Sequence, residues 1–259
     1  MNRRSFMGLA GSAMPGFAAA ATSAADLKTY RTYMLWQMFL KNGSQPQRAH
    51  DYLKNALVPY FTRAKCPLLV MEALVAPHMP QIAGIMGFKS LADLAEVHAA
   101  SEKDEALMKL HEQWDRDVEP NAESHSSVVL QATDFSPELV PDKEPRKTPR
   151  IFELRTYHSP SAHQLMALNQ RFAGPEIKIF HRCGIHPLLY TNTIIGPNVP
   201  NLTYVIPFDN LDAREKAWNA FGADPEWIKV RRESIEKSGQ ISSVIQISLW
   251  KATPYSPVG

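Results

Sequence analysis

Apolar and polar positions alternate over Phe152–Tyr157, and this period of two predicts a β-strand. Ser159-Pro160 then offers a helix cap and a first-turn proline. An apolar stripe at helical spacing follows, formed by Leu165, Leu168 and Phe172. Further strands are predicted at 186–194, 202–208 and 241–250, with two short helices before the last of them. The order of the second half is therefore β-α-β-β-α-β, the ferredoxin-like arrangement.

The first half of the chain fits the same order of elements. Its predicted elements are a strand at 27–36, a helix at 46–64, strands at 68–76 and 81–88, helices over 91–118 and a strand at 126–133. We therefore predict an α+β fold made of two tandem ferredoxin-like (βαββαβ) domains.

Short sequence matches recur between the two halves in the same order. Arg31-Thr32-Tyr33 matches Arg155-Thr156-Tyr157, and we interpret this tripeptide as the mark of the first strand of each domain. Further matches lie 119 or 120 residues apart and pair Phe61-Thr62-Arg63 with Phe180-His181-Arg182, Pro67-Leu68-Leu69 with Pro187-Leu188-Leu189, and Phe88 with Phe208. A repeat at near-constant spacing indicates two copies of one structural unit.

Two segments outside these units divide the chain. Residues 136–149 are rich in proline and charge and have no hydrophobic period, as a linker does. This predicts a diverged domain over 26–135 and a second domain over 150–257. Residues 1–25 contain Arg3-Arg4, then an apolar Gly- and Ala-rich run and small residues, which is the layout of an export signal. The segment resembles a bacterial twin-arginine (Tat) signal, which implies a periplasmic or secreted protein.

Composition and charge narrow the class of partner. The 259 residues are 44% hydrophobic and 21% charged, as in an ordinary globular protein. The net charge of +2 comes from Arg3 and Arg4, because without them the 28 basic residues become 26 and equal the 26 acidic ones. We therefore expect no nucleic-acid partner. No later segment is long and apolar enough to cross a membrane, so we also expect no stable insertion of the protein into a membrane.

Cysteines and histidines supply no recognisable catalytic or metal-binding motif. Cys66 and Cys183 are too few for a disulfide framework, so we expect packed thiols, with a bridge between them as the alternative. The nine histidines form no H-x-H or H-E-x-x-H array, and no metal site is predicted. The sequence also contains no Gly-rich phosphate loop and no G-x-S-x-G motif.

Four motifs in the second half carry a family resemblance. FELRTY, LTYVIPFDNLDAREKAW, DPEW and WKATPYSP follow one another in an order that resembles the NIPSNAP domain over residues 150–257. The resemblance implies the architecture of dimeric α/β barrels, in which two ferredoxin-like units place their open sheet faces together. That superfamily includes cofactor-free monooxygenases and haem proteins, whereas NIPSNAP members have no agreed enzymatic activity. Tyr204 and Ile206 stand where the family usually has His and Trp, so a ligand contact of that histidine does not transfer.

Side-chain alternation along the strands selects the candidate site. With Phe152 and Leu154 turned toward the helices, their polar neighbours on the strand are expected on the open sheet face. The candidate ligand-binding residues on that face are Arg31, Tyr33, Glu153, Arg155, Tyr157, Tyr204, Gln246 and Trp250. The alternative is that Glu153 and Arg155 form a structural ion pair and that the tyrosines fill the interface.

Three functions are open at this point, and so is whether the barrel forms within one chain or between two. The first is binding of a small ligand or a protein partner at the paired sheet faces, in a protein able to form homo-oligomers. The second is catalysis on an aromatic or quinone-like substrate, with Arg155 holding a developing anion and Tyr157 donating a proton. The third is haem binding through His181, which the superfamily resemblance suggests. The sequence itself makes no cofactor evident.

Overall fold

The computed structural model describes residues 28–116, 118–144 and 146–259, so the predicted export signal lies outside the described residues. The first half contains strands β1 (Thr32–Phe39), β2 (Leu68–Val75), β3 (Gln81–Phe88) and β4 (Ser124–Ala132), and helices α1 (Gln45–Tyr52), α2 (Val58–Arg63), α3 (Leu91–Ser101) and α4 (Glu105–Asp115). The second half contains strands β5 (Ile151–His158), β6 (Leu189–Ile195), β7 (Asn201–Phe208) and β8 (Val244–Ala252), and helices α5 (Ala162–Arg171), α6 (Ile177–Arg182), α7 (Leu211–Ala223) and α8 (Pro225–Ser238). A π-helical turn joins α1 to α2 (Leu53–Leu57), and a second joins α5 to α6 (Phe172–Glu176).

The eight strands form one closed barrel in the order β1-β3-β2-β8-β5-β7-β6-β4. All neighbouring strands are antiparallel, and each half contributes a four-stranded ferredoxin-like sheet. The two sheets join edge to edge, through β2 with β8 and β4 with β6. The predicted tandem of ferredoxin-like units in an α/β barrel is confirmed, and the barrel closes within a single chain.

One end of the barrel is packed shut, and we call it the closed end. Its apolar cluster combines side chains from both halves, such as Tyr33, Leu69 and Phe152. Leu139 from the segment between the halves and Val258 from beyond β8 complete the cluster, and both are about fully buried. At the opposite, open end, the pairing of β2 with β8 stops at Val75, so the first residues of β8 have no strand partner on that side within the described part of the chain.

The helices cover the outer face of the barrel in two separate layers. In the second half, Phe172 and Phe180 pack on outward-facing side chains of β5, β6 and β7. In the first half, Leu53 and its neighbours pack on outward-facing side chains of β1, β2 and β3. Each strand therefore has one face toward the lumen and one toward helices, and much of the sheet is buried on both faces.

The strand registers show which residues are equivalent in the two halves. Thr32 pairs with Phe88, and Ile151 pairs with Phe208, so β1 and β5 are related by 119 residues. Arg-Thr-Tyr recurs 124 residues on, five positions out of this register. Because five is odd and side chains alternate, Tyr33 and Tyr157 lie on opposite sheet faces. The tripeptide marks the first strand of each half, as predicted, but it does not stand at equivalent positions, and the residue equivalent to Tyr33 is Phe152.

The cap of α5 is Ser161, and the expectation that Ser159 caps this helix is wrong. The Ser161 side chain accepts a hydrogen bond from the backbone N–H of Gln164, as an N-cap does. The Ser159 hydroxyl instead donates to the carbonyl oxygen of Ile241 over 2.7 Å. Ser159 therefore ties the end of β5 to the segment that precedes β8.

Candidate functional site

The barrel interior holds a cavity of about 430 Å³, which we call the lumen, at the open end. The turn between β2 and β3 and the turn between β6 and β7 stand over its mouth. Its apolar lining comes from residues such as Leu35, Val128 and Leu154, and Trp250 lies toward its base. Its polar lining consists of amides, hydroxyls and one imidazole: Gln37, His78, Gln81, Thr156, Thr193, Asn198, Asn201, Thr203, Gln246 and Ser248. This is a concave apolar space with a few convergent polar groups, the usual form of a small-molecule site.

One wall of the lumen carries a continuous hydrogen-bonded chain of side chains, which we call the threonine wall. Thr156 Oγ1 lies 2.9 Å from Thr203 Oγ1, and Thr203 Oγ1 lies 3.2 Å from Asn201 Oδ1. Thr193 Oγ1 also donates to Asn201 Oδ1, over 2.7 Å. Strands β5, β7 and β6 place these groups side by side, because the register pairs Thr156 directly with Thr203.

The opposite wall presents polar groups from the first half, among them Gln81 and His78. Gln81 is 3% exposed and lines the lumen, and its side-chain amide has no hydrogen-bond partner among the described residues. His78 Nε2 lies 2.7 Å from the carbonyl oxygen of Leu40, which can only accept, so this nitrogen carries a proton. In the neutral ring, Nδ1 is then the acceptor.

Charged side chains are absent from the described residues that line the lumen. A buried ion without a partner charge is strongly disfavoured, so this lining suits a neutral ligand. The walls can supply hydrogen bonds and apolar contact.

The structure places the predicted residues Gln246 and Trp250 in the lumen lining, as their parity on β8 predicts. Tyr33 also points inward but lies in the closed-end cluster, where its hydroxyl accepts from the Leu139 N–H over 3.4 Å. Burial raises the pKa of Tyr33 to about 12, so it stays neutral. Arg31 lies outside the lumen and pairs with Asp134 at 3.0 Å.

The other four predicted residues lie on the opposite face of the sheet, so their expected placement was wrong. Tyr157 and Tyr204 belong to the apolar layer under the helices of the second half. Glu153 is fully buried and accepts from Arg155 Nη1 at 2.7 Å, and from Arg214 Nε at 2.6 Å. Phe152 and Leu154, which were expected against the helices, face the barrel interior instead. The reason is that α7 supplies Arg214 as a partner for the buried carboxylate, so charge can lie beneath helices.

A smaller pocket of about 200 Å³ lies beside Tyr157, between the sheet and α8, and we call it the helix-side pocket. Glu176 and Arg171 line it, and Arg171 Nε donates to Glu176 Oε2 at 2.7 Å. Burial raises the pKa of Glu176, although the charge of Arg171 opposes that rise. Burial likewise raises the pKa of Tyr157. This pocket is about half the size of the lumen, and Arg171 and Glu176 in its lining already satisfy one another.

Comparison with known proteins identifies the second half. Residues 152–257 match the NIPSNAP family model. The second half of the chain is a NIPSNAP domain. No curated protein matches the chain. A NIPSNAP family protein with unknown function from Agrobacterium tumefaciens str. C58 is 20% identical, covering 44% of this chain and 97% of that one, with a TM-score of 0.39.

Two solved structures resemble the whole barrel rather than the NIPSNAP domain alone. A putative monooxygenase from Lactobacillus acidophilus NCFM has a TM-score of 0.55 at 10% identity, covering 86% of this chain and 94% of that one. An anthrone oxidase-like protein has a TM-score of 0.53 at 10% identity, covering 88% of this chain and 93% of that one. At this identity the likeness shows a shared fold. It covers both halves of the barrel, whereas the NIPSNAP match covers the second half alone.

Sequence reasoning missed the threonine wall of the NIPSNAP domain and the facing residues His78 and Gln81. One sequence signal for the mouth was present. Pro77-His78-Met79-Pro80 and Pro197-Asn198-Val199-Pro200 share the pattern P-x-x-P, 120 residues apart, and each is followed by an amide residue, Gln81 or Asn201. Both turns contain a cis proline, at Pro80 and Pro200, and both reach the lumen.

The remaining candidates lie away from the lumen. Cys66 and Cys183 are both free thiols, so the alternative of a bridge between them is wrong. His181 is on the outside of the NIPSNAP domain, where its ring stacks on His186 with a centroid distance of 5.0 Å. It lines neither the lumen nor the helix-side pocket. Among the described residues, no helix has the length and apolar character needed to cross a membrane.

Proposed function

We propose that the lumen binds a small, neutral, largely apolar molecule. The observation that carries this proposal is a cavity of about 430 Å³ that opens at one end and has an uncharged lining. A packed barrel interior needs no polar side chains, yet this one directs hydroxyls and amides toward the cavity. Gln81 in particular lines the cavity, and no described residue takes up its side-chain amide, so the amide is available to a ligand.

The bound molecule gains most of its affinity from apolar contact. Leu35, Val128, Leu130 and Leu154 line the walls, and Trp250 offers a large aromatic surface. Each square ångström of apolar surface removed from water contributes about 25 cal/mol, so ring-sized ligands reach micromolar affinity only if well enclosed. The unpaired start of β8 leaves the mouth open for entry.

A direct test is titration of purified protein with 2-methoxynaphthalene, followed by ligand fluorescence. We expect saturable binding, and we expect Leu154→Trp to weaken it at least about tenfold because the larger side chain fills the lumen. The matched control is Val140→Trp, at an exposed position 66% accessible near the closed end. If wild-type protein and Leu154→Trp bind the probe alike, the lumen is not the binding site.

A second candidate is oxygenation of the bound molecule without a cofactor. This candidate is suggested by the fold that the chain shares with the proteins described as a monooxygenase and an anthrone oxidase-like protein. The specific observation that favours it is His78, whose Nε2 is held by Leu40 O and whose Nδ1 is the acceptor of the neutral ring. The roles first considered for Arg155 and Tyr157 do not fit, because both lie outside the lumen. Oxygen uptake with anthrone that is lost in His78→Gln would support this function, and no uptake by wild-type protein would exclude it for that substrate.

Haem binding does not fit the residues present. His181, the residue considered for it, stacks on His186 at the surface and lines neither the lumen nor the helix-side pocket. The lumen offers His78 instead, but its Nε2 is engaged by a backbone carbonyl. No step of the proposed function therefore runs through haem.

We also propose export and self-association. Export rests on Arg3-Arg4 and the small residues that follow them. Self-association with a second copy rests on the unpaired start of β8, where Val244, Ile245 and Ile247 are exposed and no charge or proline protects the strand edge. Sedimentation velocity should show a dimer that Ile247→Lys converts to a monomer, whereas a monomeric wild-type protein would rule this out.

A further inference from the structure

The direction of every hydrogen bond in the threonine wall follows from one amide. Asn201 Nδ2 lies 3.0 Å from the carbonyl oxygen of Asn198 and 3.4 Å from that of Pro197. Carbonyl oxygens only accept, so the NH₂ group must face them. The reversed amide would bring Oδ1 against two further oxygens. The orientation of Asn201 is therefore fixed by the turn that carries it.

This orientation consumes the protons of two hydroxyl groups. Asn201 Oδ1 is an acceptor, so the Thr193 hydroxyl at 2.7 Å and the Thr203 hydroxyl at 3.2 Å must both donate to it. A hydroxyl has a single proton to give. Thr203 Oγ1 can therefore only accept from Thr156 Oγ1, 2.9 Å away, and the proton of Thr156 is consumed as well.

The result is a wall that can accept hydrogen bonds but cannot donate them. Thr156 and Thr193 line the lumen and keep lone pairs that no described residue uses. Asn201 and Thr203 are 1% and 4% exposed, so the inner part of the chain is shielded from water that could rearrange it. The described residues of the lining include no carboxylate that would pair with a cation, so the matching donor is neutral.

We infer that the lumen selects a neutral, apolar-bodied ligand that carries a hydroxyl or N–H group directed at Thr156 and Thr193. This inference rests on the proposed binding function and names the chemistry that the binding requires. An ether or carbonyl at the same place brings an oxygen against oxygen lone pairs, leaves both unpaired and loses affinity. The threonine wall is thus the specificity-determining surface of the site.

A matched pair of probes tests this selectivity. 2-Naphthol and 2-methoxynaphthalene share one ring system and differ in whether the oxygen carries a proton. A hydrogen bond contributes about 0.5–1.5 kcal/mol, so we expect 2-naphthol to bind between about twofold and tenfold more tightly. Thr156→Val and Thr193→Val keep the side-chain shape and remove the acceptor, so each should reduce that preference and both together should abolish it.

Thr133→Val supplies a matched control that does not line the lumen. The Thr133 hydroxyl donates to the carbonyl oxygen of Tyr190 at 3.3 Å, and that oxygen also accepts from the Thr133 N–H, so removal of the hydroxyl should leave the preference for 2-naphthol intact. Unchanged affinity of the valine variants for 2-methoxynaphthalene would show that they fold. Equal binding of both probes to wild-type protein, with no effect of the valines, overturns the inference and leaves the proposed function standing. Failure of both probes to bind overturns both.

Discussion

Arg155 lies between Glu153 and Trp218, donating to the carboxylate at 2.7 Å while its guanidinium carbon stands 4.1 Å from the centre of the indole ring. Trp218 Nε1 donates to the same carboxylate at 2.9 Å. Strand β5 is thereby tied to helix α7 through a closed triangle of contacts. This arrangement is the structural ion pair that the sequence left open as the alternative to a ligand site.

Removal of the carboxylate should destabilise the fold rather than affect binding. Glu153→Ala leaves Arg155 buried without its counter-ion, and breaking a buried pair in this way costs about 3–5 kcal/mol. Urea denaturation should show this loss. Glu233→Ala is the control, because its ion pair with Lys229 is exposed and contributes less than about 1 kcal/mol. Similar losses for the two variants would contradict a structural role for the triangle.

Gly84 on β3 lies directly under the Trp36 ring. A Cβ added at Gly84 would come within 2.4 Å of a ring atom of Trp36, so Gly84→Ala must displace the indole. We expect a loss of about 1–3 kcal/mol in the free energy of unfolding. In Gly222→Ala, at a position in α7 with nothing within 4 Å, the same change should raise stability by up to about 1 kcal/mol. Thermal melts of the two variants should therefore move in opposite directions.

The two thiols should differ in their reaction with iodoacetamide. Burial raises the pKa of Cys66 to about 11, so at pH 8 only about one molecule in a thousand carries the reactive thiolate. Its alkylation rate should rise about tenfold with each pH unit until the pH approaches that value. Cys183 is less buried and should react first, as peptide mass mapping would show. Rapid labelling of Cys66 at pH 8 in folded protein would contradict its burial.

Export should depend on the paired arginines. Replacement of Arg3 and Arg4 by lysine keeps the charge but removes the twin-arginine motif, so we expect the full-length protein to accumulate in the cytoplasm. Cell fractionation and N-terminal sequencing of the exported form provide the measurement. The single change Lys28→Arg, downstream of the predicted signal, is the control and should leave export intact. Unchanged export of the double-lysine variant would refute the proposed route.

The period of the hydrophobic residues predicted the helices and strands of this fold well. It could not show which side chains of β5 face the barrel interior and which face the helices. A strand that is half exposed reveals its buried face by its apolar residues, whereas β5 is buried on both faces. Phe152 and Leu154 are apolar because they line the barrel, and Glu153 is tolerated opposite them because Arg214 and Trp218 reach it from α7. Those partners lie about sixty residues away, so no local pattern could show them.

The threonine wall was beyond prediction for a related reason. Its members come from three strands, and they meet only because β5 and β7 pair in one particular register. A shift of one residue would turn Thr156 toward the helices. The repeated P-x-x-P turns were visible in the sequence and mark the mouth of the lumen, but only the structure shows that both stand over a cavity.

At the closed end of the barrel, the segment between the two halves contacts both the residues before β1 and the residues after β8. The backbone N–H of Asp142 donates to the carbonyl of Pro257 at 2.9 Å, and Lys28 Nζ reaches the carbonyl of Asp134 at 2.6 Å. The closed barrel therefore does not require the first half to precede the second half in the sequence. A circular permutant that begins at Arg150 and joins Gly259 to Lys28 through an added linker would assemble the same eight strands around the same lumen.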